Sequence, residues 1–198
     1  MFDLAPESGW DRRRSTLLGR YEVVALELFA KRGYREITVD DIAASAGVSA
    51  RTLFRYFPSK EDFLLGLPRR GIANLTGTIS ALEPSDDPVR TVWDAVRRHS
   101  LAEQPDVRLL ELWRRAATDA PEIHARVRGE RVHALADAVV EYCARSLGVD
   151  EGRQTSVRLV AGVISGIEMA AMEAWGRGPL GLSQILEEAE ALLAHLVD

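Results

Sequence analysis

The chain has 198 residues, 46% hydrophobic and 28% charged, a balance that suits a globular protein with a sizeable core, as one domain or as a small domain fused to a larger one. Its single cysteine, Cys143, excludes an intrachain disulfide and a cysteine metal cluster; no apolar run approaches the ~20 residues a membrane helix needs. The net charge of −5 is unevenly spread: residues 11–70 carry 12 Lys and Arg against 8 Asp and Glu, whereas residues 71–198 carry 13 against 20. A basic N-terminal part and an acidic remainder exclude general adhesion to nucleic acid and point to one module that meets phosphate. The first ten residues are polar and acidic, unlike a secretory signal, so a soluble cytoplasmic protein is expected.

Met1 to Trp10 lacks periodicity and reads as a loose tail. Arg12, Arg13 and Arg14 open a first helix that runs to about Lys31, with Leu17, Leu18, Tyr21, Val24, Ala25, Leu28 and Phe29 on its inner face. These arginines read either as a solvated helix start or as an arm on DNA. Thr38 followed by Asp40 and Asp41 is an N-cap with acids in the first turn. Val39, Ile42, Ala43 and Ala46 give that second helix an apolar face, and Gly47 stops it in the left-handed conformation. Ser49 caps a third helix, Ala50 to about Phe57, whose inward face reads as Leu53, Phe54 and Phe57. Arg51, Thr52, Arg55 and Tyr56 stay outside that face and suit a DNA groove. Arg51, Thr52 and Arg55 are the expected base readers, since arginine can pair with both acceptors of guanine.

Ser59 to Asp62 caps a fourth helix, which Gly66-Leu67-Pro68 is expected to kink or break before it resumes from Arg69 to about Leu82. Pro88 begins a helix striped with Val89, Val92, Trp93 and Val96, which Gln104-Pro105-Asp106 ends. Val107 to Ala117 is another, and Asp119-Ala120-Pro121-Glu122 caps a long one closed by Gly148. Asp150 opens a further long helix to about Trp175, Gly176 to Pro179 forces a loop, and Ser183 begins the last helix. Gly162 and Gly166 place small residues four apart, which permits close helix approach, either in an intrachain core or at an interface. No strand signal, repeat or low-complexity stretch occurs, so the fold class is all-α with about nine helices.

The run from Val24 to Leu65 resembles the N-terminal DNA-binding module of TetR-family transcriptional regulators. Phe29 to Gly33, Thr38 to Ala43, Gly47-Val48-Ser49, Thr52 to Phe57 and Ser59-Lys60-Glu61 stand in order without gaps, over roughly a quarter of the chain. The resemblance implies a helix-turn-helix domain over residues 11–60 and a helical effector-binding and dimerisation domain over 61–198. It implies phosphate contacts by Tyr56, Lys60, Thr38 and Ser49, with capping as the alternative for the last two. It places Trp93, Trp113, Met169, Met172 and Trp175 about a cavity for a small-molecule effector, more hydrophobic than polar, with plain core as the alternative; Glu168, an acid in an apolar run, reads as facing that ligand, the dimer seam or water. It pairs the last two helices with a second copy, through Gly162, Gly166, Ile185, Ala189 and Leu192. Such a homodimer would hold a palindromic double-stranded operator.

No catalytic constellation stands out. His99, His124, His133 and His195 are scattered without metal-ligand spacing, and no phosphate-binding glycine loop or nucleophile elbow is present, so neither enzyme activity, metal nor cofactor is expected. The expected function is sequence-specific regulation of transcription, as a repressor released by its ligand. An activator of the same fold, a protein-interaction module and a helical small-molecule binder remain as alternatives.

Overall fold

The computed structural model describes residues 9–102, 107–148, 154–175 and 181–197, with the side chains of 9–15, 107, 154 and 192–197 left aside. The expectations for most of the N-terminal tail, Arg12–Arg14, the 104–106 breaker, Asp150, the 176–179 loop and the Leu192 side chain lie outside the described residues. Nine helices and no strand are found among the described residues: α1 (Gly9–Arg32), α2 (Val39–Ala46), α3 (Ala50–Phe54), α4 (Asp62–Ser80), α5 (Pro88–Ala102), α6 (Val107–Thr118), α7 (Pro121–Leu147), α8 (Gln154–Ala174) and α9 (Leu182–Val197). They form two compact units. One holds the chain up to Leu67 together with Arg108–His124; the other holds Pro68–Val107 and everything from Ala125 onward.

In the first unit α1 packs on α2 and α2 on α3. Leu26, Phe29, Ile37, Ile42, Leu53 and Phe63 are fully buried, and the Phe57 and Phe63 rings stack with centroids 4.1 Å apart. α6 closes this unit through bonds made largely to main-chain atoms. Arg115 donates to the Ala30 carbonyl at 3.3 Å, in the last turn of α1, where carbonyls lack helical partners. The Asp119 carboxylate accepts from the Arg35 backbone N–H at 3.2 Å, just past the end of α1. Asp119 thus serves the loop after α1, and the first helical bonds of α7 run from Ile123 and His124 to the Ala120 carbonyl. Gly33 is held at φ +92°, which favours glycine, and a Cβ there would stand 3.1 Å from the Asp119 carboxylate and press on it.

Proline within α4 neither ends the helix nor leaves its carbonyl unserved. α4 is assigned as one helix through Pro68, where the sequence allowed either a kink or a break. Residue 68 cannot donate to the carbonyl four residues earlier, that of Leu64. Trp113 Nε1 donates to that oxygen instead, at 2.7 Å in a buried setting. An indole from α6 supplies the donor that the proline ring removed.

In the second unit α5, α8 and α9 pack on one another, and the buried residues include Val92, Trp93, Val96, Leu135, Val139, Tyr142, Ile164 and Leu186. Ion pairs join its helices. Arg69, next after Pro68, meets Glu130 of α7 through two bonds of 2.9 and 2.8 Å, and Arg126 adds a third at 3.0 Å. These guanidinium partners, the bond from Arg69 first among them, lower the Glu130 pKa to about 2. Cys143 is buried, and burial raises its thiol pKa. One sequence expectation needs correction: α8 is long and apolar enough over Thr155–Ala174 to cross a membrane by length and composition, although only 28% of that stretch is buried. Glu168 within it is 1% exposed and paired to Arg131.

Two outcomes follow. Trp113→Phe keeps the ring but leaves the Leu64 carbonyl unsatisfied, and should lower stability by about 1–3 kcal/mol in denaturant unfolding. In a Pro68→Ala background, where residue 68 regains its N–H, the same change should cost measurably less. The second concerns acid. Because the folded Glu130 pKa lies near 2, below its ordinary 4.5, its contribution is complete above pH 4.5 and is lost as pH falls toward 2. Glu130→Gln should flatten the decline of stability across that window.

Candidate nucleic-acid interface

The α2–turn–α3 segment is built by caps that can be followed bond by bond. The Thr38 hydroxyl accepts from the Asp41 N–H at 3.1 Å, and the Asp41 carboxylate accepts from the Thr38 N–H at 2.8 Å and from its hydroxyl at 2.6 Å. This reciprocal capping box fixes where α2 begins, and the bond from the Thr38 hydroxyl lowers the Asp41 pKa. At the other end Gly47, at φ +71°, donates to Ala44 O, and Val48 donates to Ala43 O at 3.0 Å. Those two bonds are the paired closure that a left-handed residue permits. Ser49 then caps α3 by accepting from the Thr52 N–H at 3.2 Å, with the two hydroxyls 2.9 Å apart.

α3 is shorter than its sequence reads. It ends at Phe54, and a turn carries the chain to Phe57 through N–H bonds from Tyr56 and Phe57 to the Leu53 carbonyl. Leu53 and Phe57 are buried as expected, but Phe54 is 49% exposed and does not share their face. Residues 51, 54 and 55 stand at i, i+3 and i+4, so Phe54 and Arg55 flank Arg51 on the outer side, and all three are exposed. Arg55 is oriented by Tyr56: its Nη2 donates to the Tyr56 hydroxyl at 2.7 Å and its guanidinium carbon sits 4.6 Å from the ring centroid.

The structure thus brings Ser49, Arg51, Thr52, Arg55 and Tyr56 together on and beside α3, with Thr38 at the start of α2. Both Thr38 donors are engaged by Asp41. Lys60 has a structural task that sequence reasoning missed. Its ammonium donates to the carbonyls of Tyr34 and Ile37, both at 3.0 Å, and lies 4.3 Å from the Tyr34 ring centroid. It ties the start of α4 to the loop between α1 and α2. Tyr34 is itself buried, and burial, followed by the nearby Glu61, Glu122 and Asp62 charges, raises its pKa to about 12. Nothing local in the sequence signals this, because the lysine's partners are main-chain atoms of a distant loop.

The residues expected around an effector divide between the units. Trp113 belongs to the first, with its indole N–H on Leu64 O, whereas Trp93, Glu168, Met169 and Met172 belong to the second. Glu168 is bonded through both oxygens to Arg131. Trp93 is 4% exposed, and its Nε1 has no hydrogen-bond partner; one turn along α5, Arg97 Nε is ion-paired with Glu190 of α9 at 3.9 Å. Of the residues expected at a dimer seam, Gly162 is exposed and Gly166, Ile185 and Ala189 are half-buried. Leu159 and Val163 on α8 are exposed as well, so among the described residues that helix has an apolar face left uncovered.

A family model described as "Bacterial regulatory proteins, tetR family" matches residues 23–67, and one described as "MftR C-terminal domain" matches residues 87–198. The chain is 43% identical over 77 residues to the putative mycofactocin biosynthesis transcriptional regulator MftR of Mycobacterium tuberculosis, an alignment that spans 39% of each protein. It is 30% identical over 155 residues to the HTH-type transcriptional activator FasR of Mycolicibacterium smegmatis, covering 76% of this chain and 68% of FasR. Among solved structures, a TetR-like transcriptional regulator from Rhodococcus sp. RHA1 superposes with a TM-score of 0.54 at 18% identity, over 93% of this chain and 97% of that one. That likeness supports the helical fold.

The engagement of Lys60 gives a test. Lys60→Met removes both bonds to the loop and should lower stability by about 1–3 kcal/mol in urea unfolding. A lysine whose only role was to meet phosphate would leave the unfolding midpoint unchanged.

Proposed function

This chain belongs to the TetR family of bacterial regulatory proteins, and from that premise we propose that it is a homodimeric, sequence-specific DNA-binding regulator of transcription whose operator affinity is set by a small-molecule effector. The observation that carries the reading is the outer face of α3. Exposed Arg51 and Arg55, with Thr52 and Tyr56 beside them, stand on and beside a helix fixed by the Ser49 cap at its start, main-chain bonds to the Leu53 carbonyl at its end, and a buried Leu53. Guanidinium groups at that position suit paired acceptors on guanine, and Tyr56, which already holds Arg55, suits the adjoining phosphate. Thr38, Ser49 and Lys60 act here chiefly as caps and ties that hold the module in shape, with phosphate contact as a second use of the same helix ends.

Dimerisation is supported by the uncovered apolar face of α8, where Leu159, Gly162 and Val163 lie exposed. Two copies joined through α8 and α9 would set two α3 helices on one face of a duplex, about one turn (~34–36 Å) apart. The effector reading rests on the second unit. With Glu168 paired to Arg131 and Arg97 Nε facing the Glu190 carboxylate at 3.9 Å, the buried polar group left without a hydrogen bond on α5 is a donor, Trp93 Nε1. That arrangement suits a largely apolar compound bearing an acceptor group. An effector shifts operator affinity only through its different affinity for the DNA-binding and released states. Repression and activation use the same contacts, and FasR is named an activator; the sign of regulation follows from where the operator lies. A cytoplasmic protein is the setting this reading requires.

Selection of duplexes from random DNA by the purified protein, across a salt series, tests the proposal. The expected result is a two-fold symmetric consensus whose affinity falls steeply with salt. The Arg51→Ala, Tyr56→Ala double variant should melt as the parent does, yet bind that consensus on the order of 100-fold more weakly. Retained affinity would sink the assignment of α3 as the reading helix; binding that ignores salt would favour a protein-interaction module.

A further inference from the structure

The geometry points to Phe54 as a reader of thymine, through apolar contact between its ring and a C5-methyl group in the major groove. This rests on the operator reading above and adds a base identity to it. Phe54 is 49% exposed on a helix of five residues, and the burial pattern leaves no inward task for it. The unit's core is completed by Leu53, Phe57 and Phe63, and the last two stack on each other. An exposed phenyl ring is costly in water and therefore informative. Its neighbours identify the occupant. Arg51, three residues back, shares its side of the helix, and Arg55 is the next residue along the chain, so the ring stands beside exposed cations.

That pattern is complementary to one kind of surface. Duplex DNA offers anionic phosphate and guanine acceptors to the arginines, and, at the same groove depth, the thymine methyl as its only apolar base edge. An apolar protein partner would match the ring but would offer the neighbouring Arg51 guanidinium no acceptor. Phenylalanine has no donor or acceptor, so Phe54 cannot grip a phosphate by hydrogen bonding. What it can register is the presence or absence of a methyl group.

The test uses the full-length protein and the selected duplex, with each thymine replaced in turn by deoxyuridine, which removes only the methyl. For the parent protein, substitution at one position in each half-site should weaken binding, by roughly fourfold per methyl lost. The Phe54→Ala variant, confirmed as folded by its melting curve, should bind more weakly overall and be indifferent to deoxyuridine there. Three results would overturn the inference while leaving the operator reading intact: a parent insensitive to deoxyuridine at every position, a Phe54→Ala variant that keeps the parent's sensitivity, or a consensus with no thymine in either half-site. Recovery of no duplex at all would bring down the operator reading, and the methyl contact with it.

Discussion

A helix that contains proline must find a partner for the carbonyl it strands, and in this chain the partner determines how the first unit is built. Pro68 removes the donor for Leu64 O, and Trp113 Nε1 of α6 replaces it at 2.7 Å. The buried carbonyl is worth satisfying, since leaving it unpaired costs about 1–3 kcal/mol. Once the indole is committed there, α6 lies with the helix-turn-helix unit, although the chain before and after it belongs to the other unit. The boundary between the units in α4 falls between Leu67 and Pro68. Each side of that boundary has its own anchor: Leu64 to Trp113 in the first unit, and Arg69 to Glu130 in the second. A proline at this junction makes the helix depend on both.

The same economy shapes the recognition surface. α3 has five residues, far below the length at which a helix is stable alone. It is held by the Ser49 cap, by Leu53 and Phe57 in the core, and by the turn that Gly47 and Val48 close before it. Those constraints are all on its inner side or its ends. On its outer side Arg51, Phe54 and Arg55 are exposed, and Arg55 is held by Tyr56.

How far the sequence could be read depended on the range of each interaction. Caps at Thr38 and Ser49 and the left-handed Gly47 were legible because their partners lie within four residues. Nine helices were legible from apolar periodicity, and the order of motifs carried the family. Phe54 was misread for a physical reason. On a single short turn, 53 and 54 are only about 100° apart, so both fit a broad apolar arc. The decision falls to Phe57 stacking on Phe63, a contact between two separate elements. The partners of Trp113 and Lys60 were invisible for another reason: they are backbone carbonyls, which carry no sequence signature. Glu168 showed as an acid in an apolar run, but its arginine lies on a different helix.

The preference of this unit for main-chain partners bears on how such a protein can diverge. Trp113 meets Leu64 O, Arg115 meets Ala30 O, Asp119 meets Arg35 N, and Lys60 meets the carbonyls of Tyr34 and Ile37. Every residue other than proline offers the same backbone groups, so the receiving positions can mutate without breaking the joint. The exposed positions of α3 are likewise outside these joints. On the proposed reading of α3, a lineage carrying this architecture exchanges one operator for another by changing a few surface side chains. The framework that presents them is inherited unchanged, and so is the attachment to α6.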